Sequence, residues 1–508
     1  MVLKWIGGGK VDHPMADARQ AREIVDALPA GDPAKALQEI TEWLESLNRT
    51  DGFRLDRRFE NVDLLDAAAK GPLRKLAQDY LSTPRQQKFQ EHRLWNGIHE
   101  FWVQLGEAYL RCVHEHETGM SGASAVRKQL PVIAARGLRA LAMQLKWTLL
   151  RYGPVEPRLW SDLSRLFQLA ERKGFAQEVV AIYPGAHGAS STQRELLRAL
   201  MLCASSTDGL HPQRQEIAER VVAHFAESFR LSAQAEGCTH CFDLAAPRAP
   251  ARLYKGAAPS PTMRFFGAGE ALARLERLAA QVGQTGAPPS DVNLGGSYHK
   301  DVIAGVLGHL AQYWSDNPPA RSSERRPTAG RITVVPGLQE VLGALDPSAG
   351  SELDFSDQSS AESWIVENAS EGGYGAIIPA QKSDWIRVGA LVGVQGENSK
   401  HWGLGLIRRI ARDEHQQRRV GMQLLTRAAI PIRISKPGAP EREPAILLST
   451  APDARGEVGV VMRGGLYNGR DSLEMRVREK SYLLLPSRMV EMGDDFDWAR
   501  FKVMQRSP

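Results

Sequence analysis

The hydrophobic periodicity of this chain changes once, near residue 330, and that change constrains the fold more than any other feature. From about residue 15 to 235, apolar residues recur at the three- and four-residue intervals of a buried helix face. After residue 330 they form short β-type runs, such as RITVV at 331–335, or alternate with polar residues, as around Val420 and Met422. The sequence therefore predicts a multidomain α+β protein, in which a large all-α N-terminal region precedes β structure.

Local signals locate single helices within the N-terminal region. Asp32 and Pro33 stand where an N-cap and a first-turn residue belong. They precede an apolar stripe at helical spacing, made of Leu37, Ile40, Leu44 and Leu47. We expect a helix to begin at this point and to bury that stripe.

The length of 508 residues exceeds what one hydrophobic core usually serves, so two to four domains are expected. Stretches rich in Pro, Ala and Gly at 246–264 and 436–444 indicate breaks between them. We expect four parts: an all-α domain at 1–245, a linker plus helical segment at 246–320, a first β domain at 321–428, and a second small β domain, or an extension of the first, at 429–508.

Charge and cysteine content limit the function classes. The chain has 64 basic and 59 acidic residues, and this surplus is too small to indicate a nucleic-acid or membrane surface. Four scattered cysteines do not form a disulfide framework, and no signal peptide or membrane span is evident. We expect a cytoplasmic protein without membrane insertion, whose anion sites are local clusters.

Two short motifs provide such a cluster. RSSERR at 321–326 contains Arg321 and Arg325 at the spacing RxxxR, and NASEGG at 368–373 contains Asn368, Ser370 and Gly373 at the spacing NxSxxG. Arginine can make paired hydrogen bonds to phosphate oxygens and to the O6 and N7 edge of guanine. The second motif is typical of a strand, a tight turn and a second strand, in which Gly372 and Gly373 would adopt positive φ.

The two motifs, in this order and followed by barrel-like alternation, resemble those of PilZ domains, a bacterial β-barrel family that binds the second messenger cyclic di-GMP. The resemblance covers about a fifth of the chain and implies a PilZ-like barrel at 321–428. It implies that Arg321 and Arg325 contact phosphate and guanine, with Arg326 as a helper. It also implies barrel-side contacts from Asn368, Ser370 and Gly373.

The chain departs from the family pattern in three respects, the first of which is that RSSERR has three arginines, which leave the register of its RxxxR motif open. Asparagine stands at 368, where aspartate is commoner, and the insert 337–363 separates the two motifs. The fold of that insert decides whether the two motifs can meet across one ligand.

We expect a receptor without catalytic activity, which needs no cofactor and no metal. Binding of cyclic di-GMP would draw Arg321 and Arg325 onto the barrel and change how the helical region presents a surface to a protein partner. Family members commonly act on motility, pili or exopolysaccharide. The alternative is a helical protein-interaction scaffold whose barrel is degenerate and binds no nucleotide.

A third hypothesis concerns Cys238, His240 and Cys241, which form the sequence CTHC. This motif could begin a zinc site or a redox pair, but no second ligand pair follows at zinc-finger spacing. Structural or incidental thiols are the favoured interpretation.

Overall fold

A computed structural model describes nine stretches of the chain, namely residues 11–84, 87–185, 188–254, 260–319, 326–346, 361–379, 385–415, 417–477 and 480–505. The chain forms two compact units. The first consists mainly of residues before 320, and the second mainly of residues from 320 onward.

Helices dominate the first unit, as the sequence predicts. Within its described residues the α-helices are α1 (Ala18–Asp26), α2 (Pro33–Arg49), α3 (Leu55–Ser82), α4 (Lys88–Glu117), α5 (Leu130–Leu150), α6 (Pro157–Lys173), α7 (Thr192–Ala204), α8 (Pro212–His224), α9 (Ala271–Thr285) and α10 (Lys300–Trp314). None of the described helices combines the length and the apolar character that a bilayer crossing requires.

Helix α2 confirms the prediction made from its ends. The Asp32 carboxylate accepts hydrogen bonds from the backbone N–H groups of Ala34 and Lys35, at 3.1 and 3.0 Å, and so satisfies two donors that the first turn leaves free. The four leucine and isoleucine residues of the predicted stripe are all buried.

Short strands also occur in the first unit. A two-stranded pair joins β1 (Val180–Ala181) and β2 (Ala189–Ser190). A four-stranded antiparallel sheet in the order β3-β6-β4-β5 contains β3 (Arg230–Ser232), β4 (His240–Asp243), β5 (Ala251–Arg252) and β6 (Met263–Gly267). The sequence pattern predicts no sheet here, and the stretch 246–264, for which a linker is predicted, contributes β5 and the start of β6.

The second unit begins with a closed six-stranded barrel in the order β10-β11-β12-β9-β8-β7. Its elements are β7 (Arg326–Pro336), α11 (Gly337–Leu345), β8 (Glu362–Ser370), β9 (Gly373–Ile378), β10 (Leu391–Gly396), β11 (Gly403–Arg412) and β12 (Arg418–Thr426). Alternate residues of each strand fill the barrel core, among them the fully buried Trp364 and the predicted Val420 and Met422.

A second closed six-stranded barrel follows, in the order β13-β14-β15-β18-β17-β16. Its strands are β13 (Ile430–Ser435), β14 (Glu443–Leu447), β15 (Glu457–Arg463), β16 (Leu473–Val477), β17 (Lys480–Met492) and β18 (Phe496–Gln505). It has a core of its own, which includes Val460, Leu484 and Phe501. A helical N-terminal region, a PilZ-like barrel and further β structure are therefore all present, as predicted.

The two barrels share an apolar layer. Leu338 and Val341 of α11 pack there with Leu404 and Leu406 of the first barrel and with residues of the second, which are Ile446, Val461, Phe496 and Trp498. Arg408 of β11 adds a paired salt bridge to Glu491 of β17, with both N–O distances 2.7 Å. The two barrels are thus packed together as one unit.

Candidate ligand-binding site

The β8–β9 hairpin carries the second motif. Ser370 pairs with Gly373 across a two-residue turn, and Asn368 pairs with Gly375. A β-bulge between Val366 and Asn368 shifts the register of β8 at this point. Because Ala369 packs against the barrel core, its neighbours Asn368 and Ser370 lie on the outer face.

Asn368 has an unusual environment. Its amide oxygen Oδ1 is buried, yet it accepts no hydrogen bond from any described residue. The amide lies over Gly375, where a Cβ atom would come within 2.5 Å of Oδ1 and 2.8 Å of Nδ2. Gly375 in turn pairs with Gly421 of β12, so two residues without side chains lie next to this amide. A buried acceptor without a partner costs about 1–3 kcal/mol, which a bound donor could recover.

Ser370 and Gly373 have local structural roles. The Ser370 hydroxyl donates a long hydrogen bond of 3.4 Å to the Gly373 carbonyl. Gly373 does not adopt positive φ, so that expectation is wrong for this residue. Glycine is needed there because a Cβ would clash with the carbonyl oxygen of Met422 on β12.

The first motif falls mostly outside the described residues, since Arg321 and Arg325 are not among them. Arg326 is the first residue of β7, is exposed, and pairs with Ala369, while Pro327 pairs with Asn368. Strands β7 and β8 are therefore neighbours, and the insert 337–363 connects them without separating the strands that carry the two motifs. Arg325 directly precedes Arg326, which pairs with Ala369 of the second motif.

Further arginines surround the hairpin. Arg326 and Arg331, both exposed on β7, form no ion pair with any described residue. Arg419 of β12 lies within 3.5 Å of Glu367 and 3.4 Å of Asp413. Arg427 donates hydrogen bonds from Nη2 to the carbonyl oxygens of Ser370 and Glu371, at 3.4 and 3.2 Å. Arg326 and Arg331 are thus the guanidinium groups near the hairpin that no described carboxylate neutralises.

Sequence reasoning missed Gly375 and Arg427. Gly375 belongs to the run GGYGA, directly after the motif, but its role depends on the bulge that places Asn368 opposite it. Arg427 is 57 residues from Ser370 in sequence, and only the pairing of β9 with β12 brings them together. No local signal marks either residue.

Comparisons with protein-family models match two parts of the chain. Residues 19–236 match the N-terminal domain of the cyclic-di-GMP receptor FimW, and residues 348–431 match its middle PilZ domain. The two matches together cover more than half of the 508 residues. The chain belongs to the PilZ-domain cyclic di-GMP receptor family. Comparison with curated proteins gave no match.

The PilZ match contains the β8–β9 hairpin with Asn368, Ser370 and Gly373, and it continues through β12. Strand β7 and the RxxxR motif precede its first residue. The predicted resemblance to PilZ domains is confirmed. The helical N-terminal region of the chain matches a domain of the same receptor.

The CTHC motif lies in the first unit, apart from this hairpin. No group of three or more His, Cys, Asp or Glu side chains that could hold a metal occurs among the residues that the structure describes. Burial raises the pKa of Cys238 and of Cys241, which disfavours the reactive thiolate. Burial, assisted by Arg252, lowers the pKa of His240 to about 4. These environments favour structural thiols.

Proposed function

We propose that this protein binds cyclic di-GMP on the outer face of its first barrel, with Asn368 as the central contact. The observation that carries the proposal is the buried Oδ1 of Asn368, which no described residue satisfies. Family membership gives the ligand class, and the arginine-rich surroundings of the hairpin suit a ligand with two phosphates.

The chemistry of an amide matches a guanine edge. Guanine carries N–H donors beside its O6 acceptor, and an asparagine amide can accept from the former and donate to the latter. Asparagine in place of aspartate keeps the acceptor and adds a donor, without placing a negative charge near the phosphates. The Ser370 hydroxyl, whose hydrogen bond to Gly373 is long, can turn to the same edge.

The phosphates would be held by arginine. Arg326 and Arg331 have guanidinium groups without a carboxylate partner among described residues, and Arg321 and Arg325 stand immediately before β7. Arg321 and Arg325 would fold over the ligand from this side while Asn368 and Ser370 contact it from the barrel. In this proposal Gly373 keeps β9 close to β12, so that its contribution to the ligand is indirect.

Binding without catalysis is the function that this arrangement supports. No cofactor beyond the ligand is invoked, and we infer a cytoplasmic location, which suits four cysteines that form no disulfide among the described residues. Ligand-driven closure of the arginine segment would alter the surface available to a protein partner of the helical region. The alternative is a scaffold whose barrel binds no nucleotide.

Isothermal titration calorimetry with cyclic di-GMP tests the proposal. Arg325→Ala and Ser370→Ala should each weaken binding, by about tenfold or more for the charged contact. Ser363→Ala, at an exposed position of the same strand, and Arg433→Ala, at an exposed position in β13, are the matched controls and should bind as wild type. No heat with the wild type well above micromolar ligand would favour the scaffold.

A further inference from the structure

A cleft in the helical unit has the size of a small-molecule site. Two cavities of about 480 and 350 Å³ adjoin there, and both are within the range typical of ligand pockets. Residues of α3, α4, α5 and α8 line both: Leu73, Arg74, Trp102, Met143, Lys146 and Arg220. We call this pair of cavities the helical cleft.

Basic side chains outnumber acidic ones in the walls of the helical cleft. Six lining residues are basic and three are acidic. Two of the acids are glutamates that cations already neutralise: Glu219 binds Lys146 and Arg198, each at 2.9 Å, and Glu216 binds Lys146 at 2.6 Å. Glu195, which does not line the cleft, binds Arg139 and Arg198, so the surplus of positive charge rests on Lys70 and Arg74, and it would favour an anionic ligand.

The third acid, Asp66, is buried and engaged by its own neighbours. Burial raises its pKa, an effect that hydrogen bonds from tyrosine only partly oppose. The hydroxyls of Tyr109 and Tyr183 both donate hydrogen bonds to Oδ2 of the Asp66 carboxylate, at 2.6 and 3.0 Å. Arg136, 4.0 Å from the Asp66 carboxylate, adds a compensating positive charge.

Two buried donor groups of the lining residues are left without acceptors. The indole Nε1–H of Trp102 and the Nε–H of Arg198 are both buried, and neither has a hydrogen-bond partner among described residues. Arg74 is exposed at the cleft and forms no ion pair with a described residue. Buried donors are rarely left unsatisfied in proteins, so the Trp102 and Arg198 donors indicate a missing acceptor, and Arg74 adds an unpaired positive charge beside them.

Much of the remaining lining is apolar, although Gln78, Asn293 and Tyr183 are polar. Leu73 and Met143 line both cavities, and Ile98 and Trp147 extend the apolar wall of the larger one. Such a wall beside cationic donors suits a ligand with two parts, an apolar or aromatic body and an acidic group. A bare inorganic ion would leave the apolar wall uncovered.

We propose that the helical cleft is a second ligand site, which binds a small organic anion with an aromatic or apolar body and a phosphate or carboxylate group. Arg74 and Trp102 would hold the acidic group and one edge of the body. This site belongs to the helical unit and does not depend on the proposed binding of cyclic di-GMP at the first barrel.

Ligand-observed NMR with phenyl phosphate as the probe tests this site on the full chain. We expect a dissociation constant on the order of 1 mM or below, as small ligands of this size reach. Benzyl alcohol, which lacks the charge, and inorganic phosphate, which lacks the ring, should each bind at least about tenfold more weakly, since each loses one of the two recognition elements. Arg74→Gln and Trp102→Phe should each weaken phenyl phosphate about fivefold or more.

Two controls make the test decisive. Arg93→Gln changes an exposed arginine of α4 that does not line the helical cleft, and it should bind the probe as wild type. Asn368→Ala should also leave probe binding unchanged, which separates this site from the barrel. Absence of phenyl phosphate binding, equal binding of benzyl alcohol, or full affinity in both Arg74→Gln and Trp102→Phe would overturn the proposal.

Discussion

At the scale of single residues, the proposed site centres on Asn368, whose buried Oδ1 accepts no hydrogen bond from any described residue. Local sequence was enough to place Asn368 and Ser370 at a strand end, because turn chemistry and alternation are short-range properties. It was not enough to find Gly375, whose importance comes from the cross-strand register set by the bulge before Asn368. The partner that the Asn368 oxygen needs is, in our account, the ligand.

Gly375→Ala should weaken cyclic di-GMP binding about tenfold while the barrel stays folded. The added Cβ would lie 2.5 Å from Oδ1 of Asn368 and would force the amide away from its position. Gly330→Ala is the control, because a Cβ on that residue of β7 would meet no atom within 4 Å. Calorimetric titration measures both variants, and equal affinity of Gly375→Ala and wild type would show that the amide position is unimportant.

At the scale of elements, the insert between the motifs proved to be a connection between paired strands. The insert begins with GLQEVLGAL, the stretch that forms α11. Its position in the apolar layer between the barrels could not be predicted, because Leu338 and Val341 meet partners such as Phe496 that are more than 150 residues away. The pairing of β7 with β8 likewise depends on barrel closure, which is a property of the whole sheet.

We expect Asp495→Ala to loosen α11 more than the substitution Asp494→Ala at the neighbouring position. The Asp495 carboxylate accepts a hydrogen bond of 2.7 Å from the backbone N–H of Leu338, in the first turn of α11, and such contacts contribute about 0.5–2 kcal/mol. Hydrogen exchange of peptides covering Gly337–Leu345 should accelerate by about threefold to thirtyfold.

The control for this variant is Asp494→Ala. Asp494 pairs with Arg387 at 2.5 Å, but its side chain is 69% exposed, and such surface ion pairs contribute little. Exchange in α11 should stay close to wild type in that variant. Unchanged exchange in Asp495→Ala would contradict the capping role assigned to this carboxylate.

At the scale of the whole molecule, the fold class could be predicted because periodicity is visible along the chain. Helical spacing predicts the helices of the first unit, and alternation of apolar and polar residues predicts the strands of the barrels. The sheet that contains β4 and β6 escaped prediction, because its strands have only two to five residues and long-range pairing specifies them. The ion pairs of the helical cleft could not be predicted for the same reason, since Lys146 and Glu219 lie on different helices.

Family membership and the geometry of the β8–β9 hairpin lead to one central claim, that the outer face of the first barrel binds cyclic di-GMP through Asn368. Paired calorimetric titrations of the wild type and Asn368→Ala test it most directly. We predict micromolar or tighter binding by the wild type, and at least about tenfold weaker binding by Asn368→Ala with an unchanged unfolding temperature. Equal affinity of the two proteins would contradict the claim.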